Sequence, residues 1–295
     1  MNDAPRAVDI YIEAAELNRN DPLRQGSLLR FPDYGQVVMT GDLHGHRRNF
    51  EKLQQFCALD RFGARHVMLH ELIHEDVASL TAHDTSHKLL FDSARWKCAF
   101  PDQVHFLLAN HELAQVNRRE ITKNGRAVTA DFEAGVVDTY GDKADAVLDA
   151  ISTFILSFPL AGRTPNRVFL SHSLPSPRDL PAFDATVLSR ALTEEDLGDG
   201  GSAHSVIWGR YHTEPALTAL AELLYVDFFL CGHQPQEMGY EVVHDRMVIL
   251  ASDHNHGVYL PLDLGKPIKL KKLVGSIRPF AGVPYPTYEL RPYEP

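Results

Sequence analysis

Cysteine is scarce in this sequence. Cys57, Cys98 and Cys231 are the only three in 295 residues, too few and too scattered for a disulfide framework. Reduced thiols and a cytoplasmic location follow as the expectation. Long apolar runs are missing as well. The longest candidate, AISTFILSFPLAG, is short of the ~18 residues that a membrane span needs and contains Pro159. The opening stretch MNDAPRAVDIYIEAAELNRN is acidic and has no apolar centre, so it does not read as a secretory signal. No membrane partner is expected. Positive charge is also in deficit: the formal net charge is −10, which argues against non-specific nucleic-acid binding. Internal repeats and low-complexity blocks are absent.

Hydrophobic residues, at 44% of the chain, suffice for a large core. Short apolar runs alternate with helical patterns. Strands are expected at 36–40, 65–69, 103–108, 167–171 and 226–231, then in EVV, MVILAS and GVYLPL. Helices are expected at 49–59, 87–100 and 214–224, and over most of 130–158 with a break near Gly141. Alternation early and strands late predict an α/β (α+β) fold of four layers, a central β-sandwich of mixed sheets flanked by helices. We expect a helical extension over 1–35, one domain over 36–262, and a basic, Pro-rich extension over 263–295. Residues 266–295 carry six Lys/Arg against two Glu, so this tail is expected to pack on an otherwise acidic body.

Histidine is abundant, at 16 residues. TGDLHGH, LANHE, SHS, CGHQP and SDHNHG each sit where an apolar run ends. Ligand sites in α/β sheets gather beyond strand ends, so five such clusters predict one shared site. Asp42 and His44 lie two apart on a turn, where both can face one ion. Asn110, His172 and His233 each come just after a strand. Mixed oxygen and nitrogen donors suit Mn, Fe or Zn better than Ca or Mg.

The ordered blocks GDLHGH, NHE, SHS and CGHQPQEMGYEVV resemble those of calcineurin-like metallophosphoesterases. They are most similar to the phosphoprotein phosphatase branch, including bacterial and phage Ser/Thr phosphatases and diadenosine tetraphosphatases. The resemblance covers roughly residues 36–262. It implies hydrolysis of a phosphoester in a phosphoprotein or a small phosphorylated compound. It also implies two divalent metal ions: Asp42 and His44 would bind the first, and Asn110, His172 and His233 the second. A hydroxide bridging the ions would attack phosphorus, His111 would protonate the leaving oxygen, and Arg210 in VIWGR would clamp the phosphate. The catalytic assignments are therefore Asp42 and His111.

One block departs from the family. Where a glycine and two aspartates followed by arginine are expected, the chain has LHELIHED. Aligned there, Glu71 takes the place of the bridging aspartate, His70 of the glycine, His74 of the second aspartate and Glu75 of the arginine. Glutamate keeps the carboxylate with one more methylene. The loss of the second aspartate removes the partner that orients His111, and Glu75 puts a negative charge where a phosphate would bind. Two alternatives follow. The chain could be a degenerate member that serves as a binding or regulatory module. Alternatively, His70-Glu71-Leu72-Ile73-His74 fits the H-E-x-x-H pattern of zinc peptidases, with Leu69, Leu72, Ile73, Val77 and Leu80 at helical spacing. The peptidase alternative leaves the other four blocks unexplained. Cys57, Cys98, Cys231 and Trp96 are expected in the core, and His66, His83, His87 and His105 in structural or exposed positions. His254 and His256 are candidates for touching substrate or metal.

Overall fold

The computed structural model describes residues 3–77, 81–123 and 125–285. Asp3 caps the first helix, α1 (Ala4–Arg19), by accepting from the Arg6 N–H at 3.1 Å. Two short strands follow, β1 (Arg24–Gln25) and β2 (Leu28–Arg30). The run QVVMT then forms β3 (Gln36–Thr40). It leads through α2 (Arg47–Cys57) to β4 (Arg65–Leu69), and through α3 (His87–Ala99) to β5 (Val104–Phe106). These three strands are parallel neighbours, which requires crossovers of this kind. Next come α4 (Asn110–Val116), the hairpin β6 (Thr122–Lys123) and β7 (Arg126–Ala127), then α5 (Val128–Tyr140) and α6 (Ala144–Ile155). Gly141, at φ 57°, separates the last two helices, as the sequence suggested.

The second half supplies β8 (Ala161–Arg163), β9 (Val168–Ser171), the short helices α7 (Glu194–Leu197) and α8 (Ser202–Trp208), and α9 (Glu214–Leu224). It continues with β10 (Phe228–Cys231), β11 (Tyr240–Val243), β12 (Met247–Leu250), β13 (Val258–Asp263), α10 (Leu270–Gly275) and β14 (Arg278–Pro279). One sheet has the order β1-β2-β8-β9-β10-β12-β11 and the other β14-β13-β3-β4-β5. Several expected strands are shorter than their apolar runs. Pairing ends at Phe106 and begins at Val168.

The side-chain period of two divides each strand between two cores. Val37, Met39, Val168, Leu170, Leu230, Val248 and Leu250 point between the sheets, with Phe31 and Leu260. Val38, Phe169, Phe229, Cys231, Met247 and Ile249 point outward, under the helices. Helix, sheet, sheet and helix layers result, as expected. Cys57, Cys98 and Cys231 are buried free thiols. Residues before 36 contribute to the larger sheet through β1 and β2, and α1 packs on α6 and α3. Beyond 263, β14 extends the smaller sheet beside β13, and Lys52 Nζ donates to the Phe280 carbonyl at 2.8 Å. The last ten positions of the expected basic tail lie outside the described residues.

His66, His87 and His105 are all buried. His105 Nδ1 lies 2.8 Å and Lys97 Nζ 3.1 Å from the Asp21 carboxylate, and His66 Nδ1 lies 3.1 Å from His105 Nε2. His83 is exposed and pairs with Asp131. Among the described residues, no helix is long and apolar enough to cross a membrane.

Candidate metal centre

Six parallel or near-parallel strand ends open at one edge of the sandwich. β3 delivers Asp42 and His44, β4 delivers His70 and Glu71, β5 delivers Asn110 and His111, β9 delivers His172, β10 delivers His233, and β12 delivers Asp253. Two glycines make this convergence possible. A Cβ on Gly41 would sit 2.1 Å from the Leu250 carbonyl oxygen, so only glycine lets the end of β3 lie against β12. A Cβ on Gly232 would sit 2.3 Å from Asp42 Oδ1 and 2.5 Å from His70 Cε1, filling the space those groups use. Four side-chain-bearing residues here, His44, Glu71, His74 and His233, have φ between 41° and 69°. Left-handed backbone of this kind costs of order 1–3 kcal/mol per residue and concentrates at functional sites.

One group of donors is tight. Asn110 Oδ1 lies 2.7 Å from His172 Nε2 and 2.8 Å from His233 Nδ1, and the two ring nitrogens are 3.1 Å apart. Glu71 Oε2 is 3.0 Å from His172 Nε2, yet it is buried and receives no aligned hydrogen bond. Each imidazole brings one proton at most while neutral, so these contacts cannot all be hydrogen bonds. Lone pairs crowded at this spacing fit a shared cation: ligands about 2.1 Å from one ion stand roughly 3 Å apart.

A second group adjoins it. His44, Glu71 and His111 can direct one ligand atom each into a common space, all within 4.8 Å of one another. Asp42, His70 and His172 form a comparable group. Glu71 is thus the carboxylate shared between the two sides, with Oε1 3.7 Å from His111 Nε2. Asp42 Oδ1 accepts from the His233 N–H at 2.9 Å. The expected ligands Asp42, His44, Glu71, Asn110, His172 and His233 therefore share one site, with His111 at its edge.

Burial dominates the electrostatics. It pushes the carboxyls of Asp42 and Glu71 toward protonation; the charge of Asp253 adds to it at Asp42, and those of Glu112 and then Asp42 add to it at Glu71. Glu112, buried behind them and accepting from the Leu72 N–H at 2.6 Å, is raised for the same reason. Burial likewise holds the imidazoles neutral, His233 down to about 3 and His70 and His74 down to about 4. Buried anions that resist ionising beside imidazoles that resist protonating are the state a divalent cation relieves.

Two cations face this site. Arg210, half-buried after α8, lowers the proton affinity of Asp42 and His233 through its charge. Lys123, on the β6 hairpin, acts in the same way on Asp42, His44, Glu71, His74 and His111. Lys123 has no motif around it, and nothing local in the sequence marks it. Glu75 turns away, accepting from the N–H and Oγ1 of Thr85. It therefore does not oppose a bound anion directly. In the last loop, His254 Nε2 donates to the Gln236 carbonyl at 2.9 Å and its Nδ1 accepts from the His256 N–H at 3.1 Å. Both ring nitrogens are engaged, and His254 ties two loops together instead of entering the site.

The H-E-x-x-H alternative does not fit this geometry. Residues 70–77 form no helix. The left-handed conformations of Glu71 and His74 break any helical course, and the Glu71 carbonyl is taken by the N–H groups of Leu43 and His44 at 2.9 and 2.8 Å. His70 and His74 turn to different partners. His70 lies beside Asp42 and His172, and His74 beside His111 and Gln115. They do not share one ion as a peptidase pair would. Leu80, the last position of the helical spacing, lies outside the described residues.

No known family profile matches the sequence, and no curated protein sequence matches it. Solved structures do. The chain is similar to a protein serine/threonine phosphatase from Saccharomyces cerevisiae, itself described as similar to human phosphatase PP5. The TM-score is 0.66 at 14% identity, covering 97% of this chain and 92% of that one. It is also similar to a cold-active protein-tyrosine phosphatase of a psychrophilic Shewanella species. There the TM-score is 0.56 at 13% identity, covering 90% of this chain and 82% of that one. At such identities the likeness establishes architecture: the chain has the phosphoprotein phosphatase-like metallophosphoesterase fold.

Proposed function

We propose that this protein hydrolyses a phosphomonoester carried by a protein or a small molecule, releasing the alcohol or phenol and inorganic phosphate. The observation that carries the reading is the convergence of Glu71 Oε2, Asn110 Oδ1, His172 Nε2 and His233 Nδ1 within about one ligand spacing. Two of the solved structures similar in fold are described as serine/threonine and tyrosine phosphatases, which supports this substrate class. Asp42, His44 and Glu71 would hold one divalent ion, and Glu71, Asn110, His172 and His233 the other. Such a pair, when bound, supplies an activated water and Lewis-acid stabilisation of the phosphoryl oxygens. The mixed donor set favours manganese, iron or zinc.

The protein's own groups do the rest. Lys123 and Arg210 bring positive charge to the phosphate. His111 presents Nε2 to the site, since its Nδ1 is engaged by His74 at 2.8 Å, and it delivers the proton to the leaving oxygen. Burial first, and then His44, His74 and Lys123, strongly disfavour its imidazolium form. The incoming phosphate dianion must therefore supply the negative charge that lets His111 take up its proton.

The neutral His74, standing where a carboxylate would hold that imidazolium, favours a second reading: a fold that binds phosphorylated partners without turning them over. Hydrolysis of p-nitrophenyl phosphate with Mn²⁺ added separates the two. Metal-stimulated turnover that drops at least ~100-fold in Asp42→Asn supports hydrolysis. Metal binding by a folded protein with no turnover selects the binding module.

A further inference from the structure

The histidines of the H-E-x-x-H run contact no solvent, and the proposed reaction uses neither of them. Their hydrogen bonds nonetheless have a direction. His70 Nε2 lies 2.9 Å from the Thr40 carbonyl, which can only accept, so the His70 proton sits on Nε2. A neutral imidazole then has a bare Nδ1. That bare nitrogen lies 3.0 Å from His172 Nδ1. A hydrogen bond between these two nitrogens therefore takes its proton from His172. Its Nε2 is left with a lone pair aimed at Asn110, His233 and Glu71.

The pattern repeats four residues later. His74 Nε2 lies 2.8 Å from Gln115 Oε1 and its Nδ1 2.8 Å from His111 Nδ1, so His111 carries its proton on Nδ1 and turns a bare Nε2 to the site. Between the two, the Ile73 carbonyl lies 2.9 Å from His44 Nδ1 and imposes the same tautomer on His44.

We propose that residues 70–74 act as an outer brace in which His70, the Ile73 carbonyl and His74 hold His172, His44 and His111 in one tautomer, each with its Nε2 lone pair facing the site, while Glu71 enters the site between them. His70 and His74 are positioning residues. Partners on the far nitrogen fix a ligand's ring orientation and raise its basicity. The run that looks like a peptidase motif thus serves the metal site from behind. The left-handed φ angles at Glu71 and His74 let consecutive residues face a cavity and its surroundings in turn. The inference rests on the metal-site reading for its consequence, but the tautomers are readable without metal and without turnover.

Nitrogen-15 correlation spectra of histidine-labelled protein distinguish protonated from lone-pair ring nitrogens. In the metal-free wild type, His172 and His111 are expected as Nδ1–H tautomers with unprotonated Nε2, and zinc addition should shift the Nε2 resonance of His172. In His70→Leu the tautomer preference of His172 should be lost, and zinc affinity by calorimetry should fall about 10–100-fold. His70→Asn retains an acceptor near the old Nδ1 and should recover most of that affinity. His172 or His111 found as the Nε2–H tautomer in the wild type overturns the proposal. So does a His70→Leu protein with the wild-type melting temperature, tautomer and zinc affinity. If the tautomers are as stated and no phosphoester is hydrolysed, the brace stands and the phosphatase reading falls.

Discussion

Lys123 carries the sharpest functional prediction, because no sequence pattern announced it. Its side chain is 20% exposed, and its Nζ lies 3.5 Å from both the His74 carbonyl and Asp76 Oδ1. Those are long contacts, so little holds the ammonium away from an incoming anion. Its charge already reaches five groups of the site, from Asp42 to His111, while Glu75 is bound to Thr85. Lys123→Gln keeps most of the stem and removes the charge. A hydrogen bond to a charged partner contributes about 1.5–3 kcal/mol, so kcat/KM for p-nitrophenyl phosphate should fall roughly 10–150-fold. The competitive inhibition constant of inorganic phosphate should rise over the same range, since binding is lost with or without chemistry. Arg210→Ala should act in the same direction, since its charge reaches Asp42 and His233. Lys123→Gln should also raise the proton affinity of His111, whose imidazolium form Lys123 disfavours. An unchanged phosphate inhibition constant in a folded Lys123→Gln enzyme would refute the assignment.

Three further predictions concern the frame around the site. Burial holds His66 and His87 neutral, each pushed down to about 4 from the ordinary 6.5. The unfolded chain takes up these protons first, so their contribution is complete above about pH 6.5 and is lost as pH falls toward 4. That is on the order of 3 kcal/mol per group. Thermal melts should drop steeply across that window, and His87→Gln should flatten part of the slope. An equal melting temperature at pH 7 and pH 4.5 contradicts this. Asp21→Ala strands Lys97 and His105 in the interior, with a cost of about 3–5 kcal/mol in urea unfolding. Adding Lys97→Met should restore part of it, and strictly additive losses would show that the groups are not coupled. His74→Asp supplies His111 with an anionic partner. It should move the alkaline limb of the pH–rate profile upward, because His111 must carry its proton to act, and a superimposable profile would mean that His74 does not bear on His111.

Much of this protein was legible in order and kind. Apolar runs of four to six residues could only be buried strands, and helical spacing marked α2, α3 and α9. The break at Gly141 was readable because a glycine between two amphipathic stretches costs little in an unusual conformation. The ligand blocks were legible because each follows a strand directly, where the backbone direction leaves no freedom about which edge of the sheet it reaches. Strand ends were less readable, since Leu107 and Leu108 are as apolar as their neighbours but leave the ladder to form the turn before Asn110.

The site's inner logic was decided by tertiary structure. Helical periodicity is a local signal, and across 70–77 it lost to the Leu43 and His44 amides, which bind the Glu71 carbonyl from 28 and 27 residues earlier in the chain. Whether His70 crowds the site, binds an ion or supports a ligand depends on which oxygen its Nε2 meets, and Thr40 lies on another strand. The same holds for Lys123, whose only claim on the site is spatial. Residue type and chain order therefore determined which chemical groups reach the strand ends. The direction of each proton, and the separation of ligands from the groups that brace them, came from contacts between strands distant in sequence, because a hydrogen bond's donor is fixed only when both partners are in place.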